Sequence, residues 1–130
     1  MASIEGVEGF KALASRRILA SGAYHIFAMH SGRAIDVPGS TNETAQLIQW
    51  KFHGGVNQSF ALHAAPDGAY FIQSLCCGLF WDIEAGSSEN CASVLQFKKH
   101  GGENQQFLIQ SVDGGHFKIL AKHLGKAIDI

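Results

Sequence analysis

Proline is scarce in this 130-residue chain, with two in all, and cysteine is both rare and odd in number, with three. Cys76 and Cys77 are adjacent and Cys91 follows fourteen residues on, so the set is neither a disulfide framework nor a zinc-ligand spacing. Three reduced thiols are the expectation, with a structural role for the Cys76-Cys77 pair. Charge is also in short supply: charged residues make up 16% and the net charge is −1. There is no basic stripe to neutralise phosphates, so nucleic acid is not an expected partner. No apolar run approaches the ~18 residues of a membrane-spanning helix. Glu5 and Glu8 stand where a secretory signal would need a basic and then an apolar stretch. The expected location is therefore the cytoplasm, or outside the cell by release without a signal peptide. Hydrophobic residues nevertheless reach 46%, enough to bury a core, and the length suits one domain spanning residues 1–130.

What the chain has in plenty is glycine, fifteen residues, and internal repetition. Gly22-Ala23-Tyr24-His25-Ile26 returns as Gly68-Ala69-Tyr70-Phe71-Ile72 and again as Gly115-His116-Phe117-Lys118-Ile119. Each opener leads to a second matching segment: Gly32-Arg33-Ala34-Ile35-Asp36-Val37, Gly78-Leu79-Phe80-Trp81-Asp82-Ile83 and Gly125-Lys126-Ala127-Ile128-Asp129-Ile130. Two copies continue, through Ala45–Trp50 and Ala92–Phe97, into His53-Gly54-Gly55-Val56-Asn57-Gln58-Ser59-Phe60 and His100-Gly101-Gly102-Glu103-Asn104-Gln105-Gln106-Phe107. A period near 46 residues marks one supersecondary unit used repeatedly. The repeats run 22–67, 68–113 and 114–130, the last with two of four segments present.

Within a repeat the apolar period is two, as in Tyr24/Ile26, Ile35/Val37, Ile48/Trp50 and Phe60/Leu62. Short alternating runs separated by Gly, Ser, Asn and Asp predict four strands per copy and an all-β barrel or sandwich. The third copy then needs a strand from elsewhere to avoid an open edge. Residues 4–21 are the candidate, since Gly6–Leu13 aligns with Gly55–Leu62 at Gly, Val, Ala and Leu. The stretch Lys11–Leu19 fits a short helix equally by propensity, and a disordered arm is the third alternative.

The recurring pattern Y-x-I…G-x-A-I-D-V…I-Q-W-x-x-H-G-G-x-N-Q-x-F resembles the ricin-B type (R-type) lectin repeat over residues 22–130. The resemblance implies a β-trefoil of three four-stranded repeats with sugar pockets on its outer face. It implies a non-enzymatic lectin for galactose or N-acetylgalactosamine glycans, a haemagglutinin in kind, with no cofactor. The tryptophan of the family's QxW is phenylalanine here, at Phe60 and Phe107. That exchange keeps a large apolar plug.

The residue types suit that reading independently. A sugar presents hydroxyls and one apolar face, so a pocket needs a carboxylate, amides and an aromatic wall. Copy one supplies Asp36, Trp50, His53, Asn57 and Gln58; copy two supplies Asp82, Phe97, His100, Asn104 and Gln105. By strand alternation Asp36, between Ile35 and Val37, should point away from the core. Asn57 and Gln58 could instead hold loop backbone, and His53 could be a donor or only a turn residue. Trp50 faces ligand if Leu47 faces the core, and faces the core if Ile48 does; one residue of register decides. Trp81, beside Asp82, either supplements the smaller Phe97 or simply packs. Copy three has Asp129 but no following aromatic, and Glu8-Gly9 takes its Asn-Gln place if the N-terminal segment is the displaced strand, so copy one ranks first, copy two second and copy three is expected to be lost. The seven histidines are scattered and no metal is expected. Two weak pockets on one chain, multiplied in a homodimer, would act by avidity. The alternative function is a protein-interaction trefoil such as a protease inhibitor. Asn57-Gln58-Ser59 is also a glycosylation pattern, so a working Asn57 favours a chain that avoids the secretory route.

Overall fold

The computed structural model describes residues 1–7, 18–84, 93–128 and 130. The strands are β1 (Ala2–Gly6), β2 (Gly22–Ala28), β3 (Ala34–Asp36), β4 (Ala45–Gln46), β5 (Ile48–Trp50), β6 (Phe60–Ala64), β7 (Tyr70–Ser74), β8 (Phe80–Ile83), β9 (Val94–Phe97), β10 (Phe107–Val112), β11 (His116–Ala121) and β12 (Lys126–Ala127). Glycine-rich turns and short 3-10 turns join them, as the period-two pattern and its punctuation require.

Six strands close a barrel. The last strand of copy one, β6, lies between β2 and β7. The last strand of copy two, β10, lies between β7 and β11. The N-terminal β1 lies between β11 and β2, which is the corresponding place in copy three. The architecture is thus a β-trefoil whose third repeat is closed by the N-terminal segment. Closure removes the open edge that a two-stranded third repeat would leave in the barrel.

The displaced strand is not the one the sequence alignment selects. Ala2 pairs with Ala28 and Ile4 with Ile26, as Phe60 pairs with Ser74 and Leu62 with Ile72. Ala2 and Ile4 therefore occupy the places of Phe60 and Leu62, several residues before the aligned Gly6–Leu13. The inward-facing alternation of Ala2 and Ile4, both buried, fixes the register. The Glu8-Gly9 pair, the possible helix over Lys11–Leu19, Cys91 and Asp129 fall wholly or mainly outside the described residues.

The core collects the inward residues of all three copies: Tyr24, Ile26, Phe60, Leu62, Tyr70, Ile72, Phe107, Ile109 and Ile119. Trp81 occupies the place of Ile35 and Ile128, is fully buried, and meets Phe60 and Phe107 edge-on at 5.3 and 6.0 Å. It is a core residue and not a sugar wall. Leu19 is pinned by Tyr70, whose hydroxyl accepts from its N–H and donates to its carbonyl. In the β7–β8 turn Cys77 Sγ donates to Gln96 Oε1 at 3.0 Å. Its neighbour Cys76 packs against the core, and burial, ahead of the contact with Cys77, pushes that thiol up to about 12.

Candidate functional site

The HGGxNQ segment crosses the outside of each complete repeat and folds back on the Asp-bearing strand. Its glycines are required for separate reasons. Gly54 has a φ of 74°, a left-handed conformation that costs other residues about 1–2 kcal/mol. Gly55 has an ordinary φ of −68°, but a Cβ there would sit 2.6 Å from His53 Cε1 and 2.9 Å from Asn57 Oδ1. The missing side chain lets the turn close: the Gly55 N–H donates to His53 Nδ1 at 2.9 Å, and Val56–Gln58 form a 3-10 turn. With Nδ1 accepting, the ring proton of the neutral imidazole lies on Nε2.

Gln58 is fully buried and its amide is consumed. Nε2 donates to Asp36 Oδ2 at 2.8 Å and to the Lys51 carbonyl at 2.9 Å; Oε1 accepts from the N–H groups of His53 and Gly54. Asn57 Nδ2 donates to Asp36 Oδ1 at 3.3 Å and to the Val37 carbonyl at 3.2 Å. Copy two reproduces the lattice. Gln105 Nε2 donates to Asp82 Oδ2 at 2.9 Å and to the Lys98 carbonyl, and Asn104 Nδ2 to Asp82 Oδ1 at 3.1 Å and to the Ile83 carbonyl.

One sequence expectation is corrected by this geometry. Gln58 and Gln105 are positioning residues with no polar atom left to offer a ligand, because a buried amide must satisfy its hydrogen bonds within the protein. Asp36 and Asp82 point away from the core, as alternation requires, yet they are covered. They are 3% and 4% exposed, because the turn that carries the amides is folded over them.

Asp36 still reaches the outside, at the wall of a depression of about 340 Å³ lined also by Pro38, Gly39, Ile48, Trp50, His53 and Asn57. The register of β5 resolves Trp50: Ala34 pairs with Trp50 and Asp36 with Ile48, Leu47 is in the core, and Trp50 is 56% exposed. The His53 Nε2 atom stands 3.8 Å from Asp36 Oδ2, beyond hydrogen-bond reach. In copy two the same atoms of His100 and Asp82 are 3.1 Å apart and bonded. Phe97 there is only half-exposed, with its ring 6.3 Å from His100. The counterpart of the Pro38–Gly39 wall falls in or beside residues 85–92, outside the described set. Pro38 and Gly39 are not among the residues the sequence points to, and Ile48 enters there only through the register of Trp50; the Pro-Gly turn directly after Asp36-Val37 is the available signal.

The comparisons agree with this architecture. The family model described as ricin-type beta-trefoil lectin domain-like matches residues 16–97. Among solved structures, the designed three-fold symmetric protein ThreeFoil is 36% identical with a TM-score of 0.80, over 83% of this chain and 78% of that one. The exo-beta-1,3-galactanase 1,3Gal43A of Clostridium thermocellum is 28% identical with a TM-score of 0.79. That match covers 83% of this chain but 24% of the enzyme. The Rhizoctonia solani agglutinin shares the fold at 21% identity and a TM-score of 0.72, over 85% of this chain and 75% of that one. A search of curated proteins finds no match. With a family model spanning well over half its length on a trefoil that carries the repeated Asp-Asn-Gln lattice, the chain belongs to the ricin-type β-trefoil lectin domain-like family.

Proposed function

We propose that this chain is a non-enzymatic lectin that binds galactose- or N-acetylgalactosamine-bearing glycans, with its better site in copy one and a second in copy two. The observation that carries the reading is the state of Asp36. Each carboxylate oxygen accepts one protein hydrogen bond, Oδ2 from Gln58 and Oδ1 from Asn57. A carboxylate has about four lone-pair positions, so both oxygens retain capacity toward the depression. Two neighbouring sugar hydroxyls can donate to them. Both Asn57 N–H groups are spent, which leaves Oδ1 as an acceptor. His53 Nε2–H, too far from Asp36 to bond it, is a free donor, and exposed Trp50 offers an apolar wall for a ring face.

Single shallow sites bind weakly, and two on one chain, or four in a homodimer, would bind multivalent glycans by avidity. A cytoplasmic or signal-independent route suits this reading. A glycan on Asn57 would replace one of the two Nδ2 hydrogens and so remove at least one of its hydrogen bonds to Asp36 and Val37. A glycan array followed by calorimetric titration of N-acetylgalactosamine tests the proposal. Binding at two sites, reduced to one in Asp36→Asn, is the expected result. Asparagine keeps an acceptor for Gln58 but removes the charge, so the fold survives to be assayed. No binding to any glycan, or unchanged stoichiometry in Asp36→Asn, would overturn it.

A further inference from the structure

The depression of copy one is not built by copy one alone. Its wall includes Pro38 and Gly39, which open the loop of residues 38–44 between β3 and β4. At the start of this rim loop the Ser40 N–H donates to the Val37 carbonyl at 3.1 Å. At its end β4 pairs with β9 of copy two, with Ala45 opposite Gln96. Between these points Gln96 reaches in from copy two, and its Nε2 donates to the Thr41 and Glu43 carbonyls, each at 2.8 Å.

Two features set this contact apart from ordinary packing. The first is how fully the Gln96 amide is committed. The side chain is completely buried, and both Nε2 hydrogens go to carbonyls, which only accept. Oε1 then faces the other way and needs a donor, which the Cys77 S–H supplies at 3.0 Å. The half-buried Cys77 of the β7–β8 turn thus fixes the orientation of the amide, because the flipped amide would set Oε1 against two carbonyls. The second is strain in the loop that is held. Gly39 and Ser40 both have positive φ, 64° and 51°. Glycine adopts that conformation freely, but a serine Cβ crowds its own backbone there. Such a residue persists only where its surroundings over-determine it. Within the loop the Thr41 N–H bond to the Pro38 carbonyl is long, at 3.4 Å, so Gln96 supplies the firmest hold on the segment after Ser40.

We propose that Gln96 is a positioning residue for the copy-one site: a side chain of copy two that holds the strained rim loop of copy one in its binding arrangement, with Cys77 orienting it. The proposal rests on the reading of the Asp36 depression as a sugar site. It makes that site a product of two repeats, with the frame supplied by copy one and the hold on the Pro38–Gly39 wall supplied by copy two. Gln96 touches no ligand; it acts by keeping the wall formed before the sugar arrives, which spares the sugar the cost of ordering it.

The test uses the full chain, N-acetylgalactosamine and backbone-amide NMR, which reads the two sites separately. Gln96→Met keeps the side-chain length and removes the hydrogen bonds to Thr41, Glu43 and Cys77. Without sugar, amide exchange at Ser40 and Thr41 should quicken at least about fivefold while the copy-two amides of Gln105 and Gln106 keep their rates. With sugar, copy-one affinity should fall about five- to tenfold, as when the rim holds its binding arrangement roughly a tenth to a fifth of the time, and copy-two affinity should stay within about twofold. Ser40→Gly relieves the strain, so adding it to Gln96→Met should restore part of the lost copy-one affinity, which a general loss of stability would not allow. Cys77→Ala should weaken copy one less than Gln96→Met does, and Cys77→Ser, which again offers a donor, should restore it. Unchanged exchange at Ser40 and Thr41, equal losses at the two sites, or no rescue by Ser40→Gly would overturn the proposal. An unsubstituted chain that binds no sugar would overturn the lectin reading instead, and the exchange rates, which need no sugar, still decide whether Gln96 holds the rim.

Discussion

The depressions of copies one and two share a frame and differ in their rims. In both, a buried glutamine and a neighbouring asparagine hold the two oxygens of a buried aspartate, with hydrogen-bond lengths that agree within 0.2 Å between corresponding pairs. Around that frame, Trp50 becomes Phe97, Val56 becomes Glu103, and the His–Asp separation changes from 3.8 to 3.1 Å. In copy two the histidine donor is therefore spent on the aspartate, whereas in copy one it is available to a ligand. The frame belongs to folding as much as to binding, and the rim is where the two sites can diverge.

The largest effect should come from cutting the frame. Gln58→Ala leaves a buried carboxylate oxygen, the Lys51 carbonyl and two backbone N–H groups short of partners, and should destabilise the fold by about 3 kcal/mol or more. Gln105→Ala should match it in urea melts, because its partners are the same. A large difference between the two would show that the frames are not equivalent.

A smaller effect separates the glycines. Gly55→Ala forces a Cβ to 2.6 Å from the His53 ring, against 3.0 Å for Gly102→Ala at His100. The first should cost about 1–3 kcal/mol and the second less, as overpacking relieved by a small ring movement. Because His53 is the available donor, Gly55→Ala should also weaken binding at the proposed copy-one site.

The rims come next. Trp50→Ala should change stability by under about 1 kcal/mol, as for other exposed positions, while lowering copy-one affinity by roughly tenfold. Phe97→Ala should cost less affinity in copy two. A melting curve beside a titration distinguishes the two roles for each ring, and Phe97→Trp should narrow the gap between sites.

The smallest expected effect at neutral pH concerns Cys76. Its thiol, raised by burial to about 12, stays protonated at neutral pH and should react slowly with iodoacetamide at pH 8. The sign for stability follows from the same shift. The unfolded thiol ionises near its ordinary value, about 9, and the folded one does not, so stability is full below that pH and declines as pH rises toward 12. Mass spectrometry after timed alkylation, and melts between pH 8 and 10, check both statements.

Much of this was legible in the chain. The repeat period located every first and second strand, and HGGxNQxF located both frames, because glycines, amides and a plug residue at fixed spacing have no cheaper substitutes. The role of each amide was not legible. Asn57 and Gln58 are adjacent and chemically alike, yet one borders the depression and the other is sealed beneath it. Which is which depends on the direction taken by a 3-10 turn. Alternation placed Asp36 on the face away from the core, where it lies, but does not say what covers that face.

By itself, the sequence determined the repeats, the strand pattern, the aspartate–amide–aromatic set and the family. Each is a matter of residue type and local spacing, which hydrophobic periodicity and turn chemistry translate directly into structure. Tertiary structure alone decided that Ala2–Gly6 closes the third repeat, that Trp50 faces out while Trp81 fills the axis, and that Gln96 of copy two reaches the rim loop of copy one. Those outcomes depend on register and on what packs across the pseudo-threefold axis, and residues far apart in the chain become neighbours only when the barrel closes.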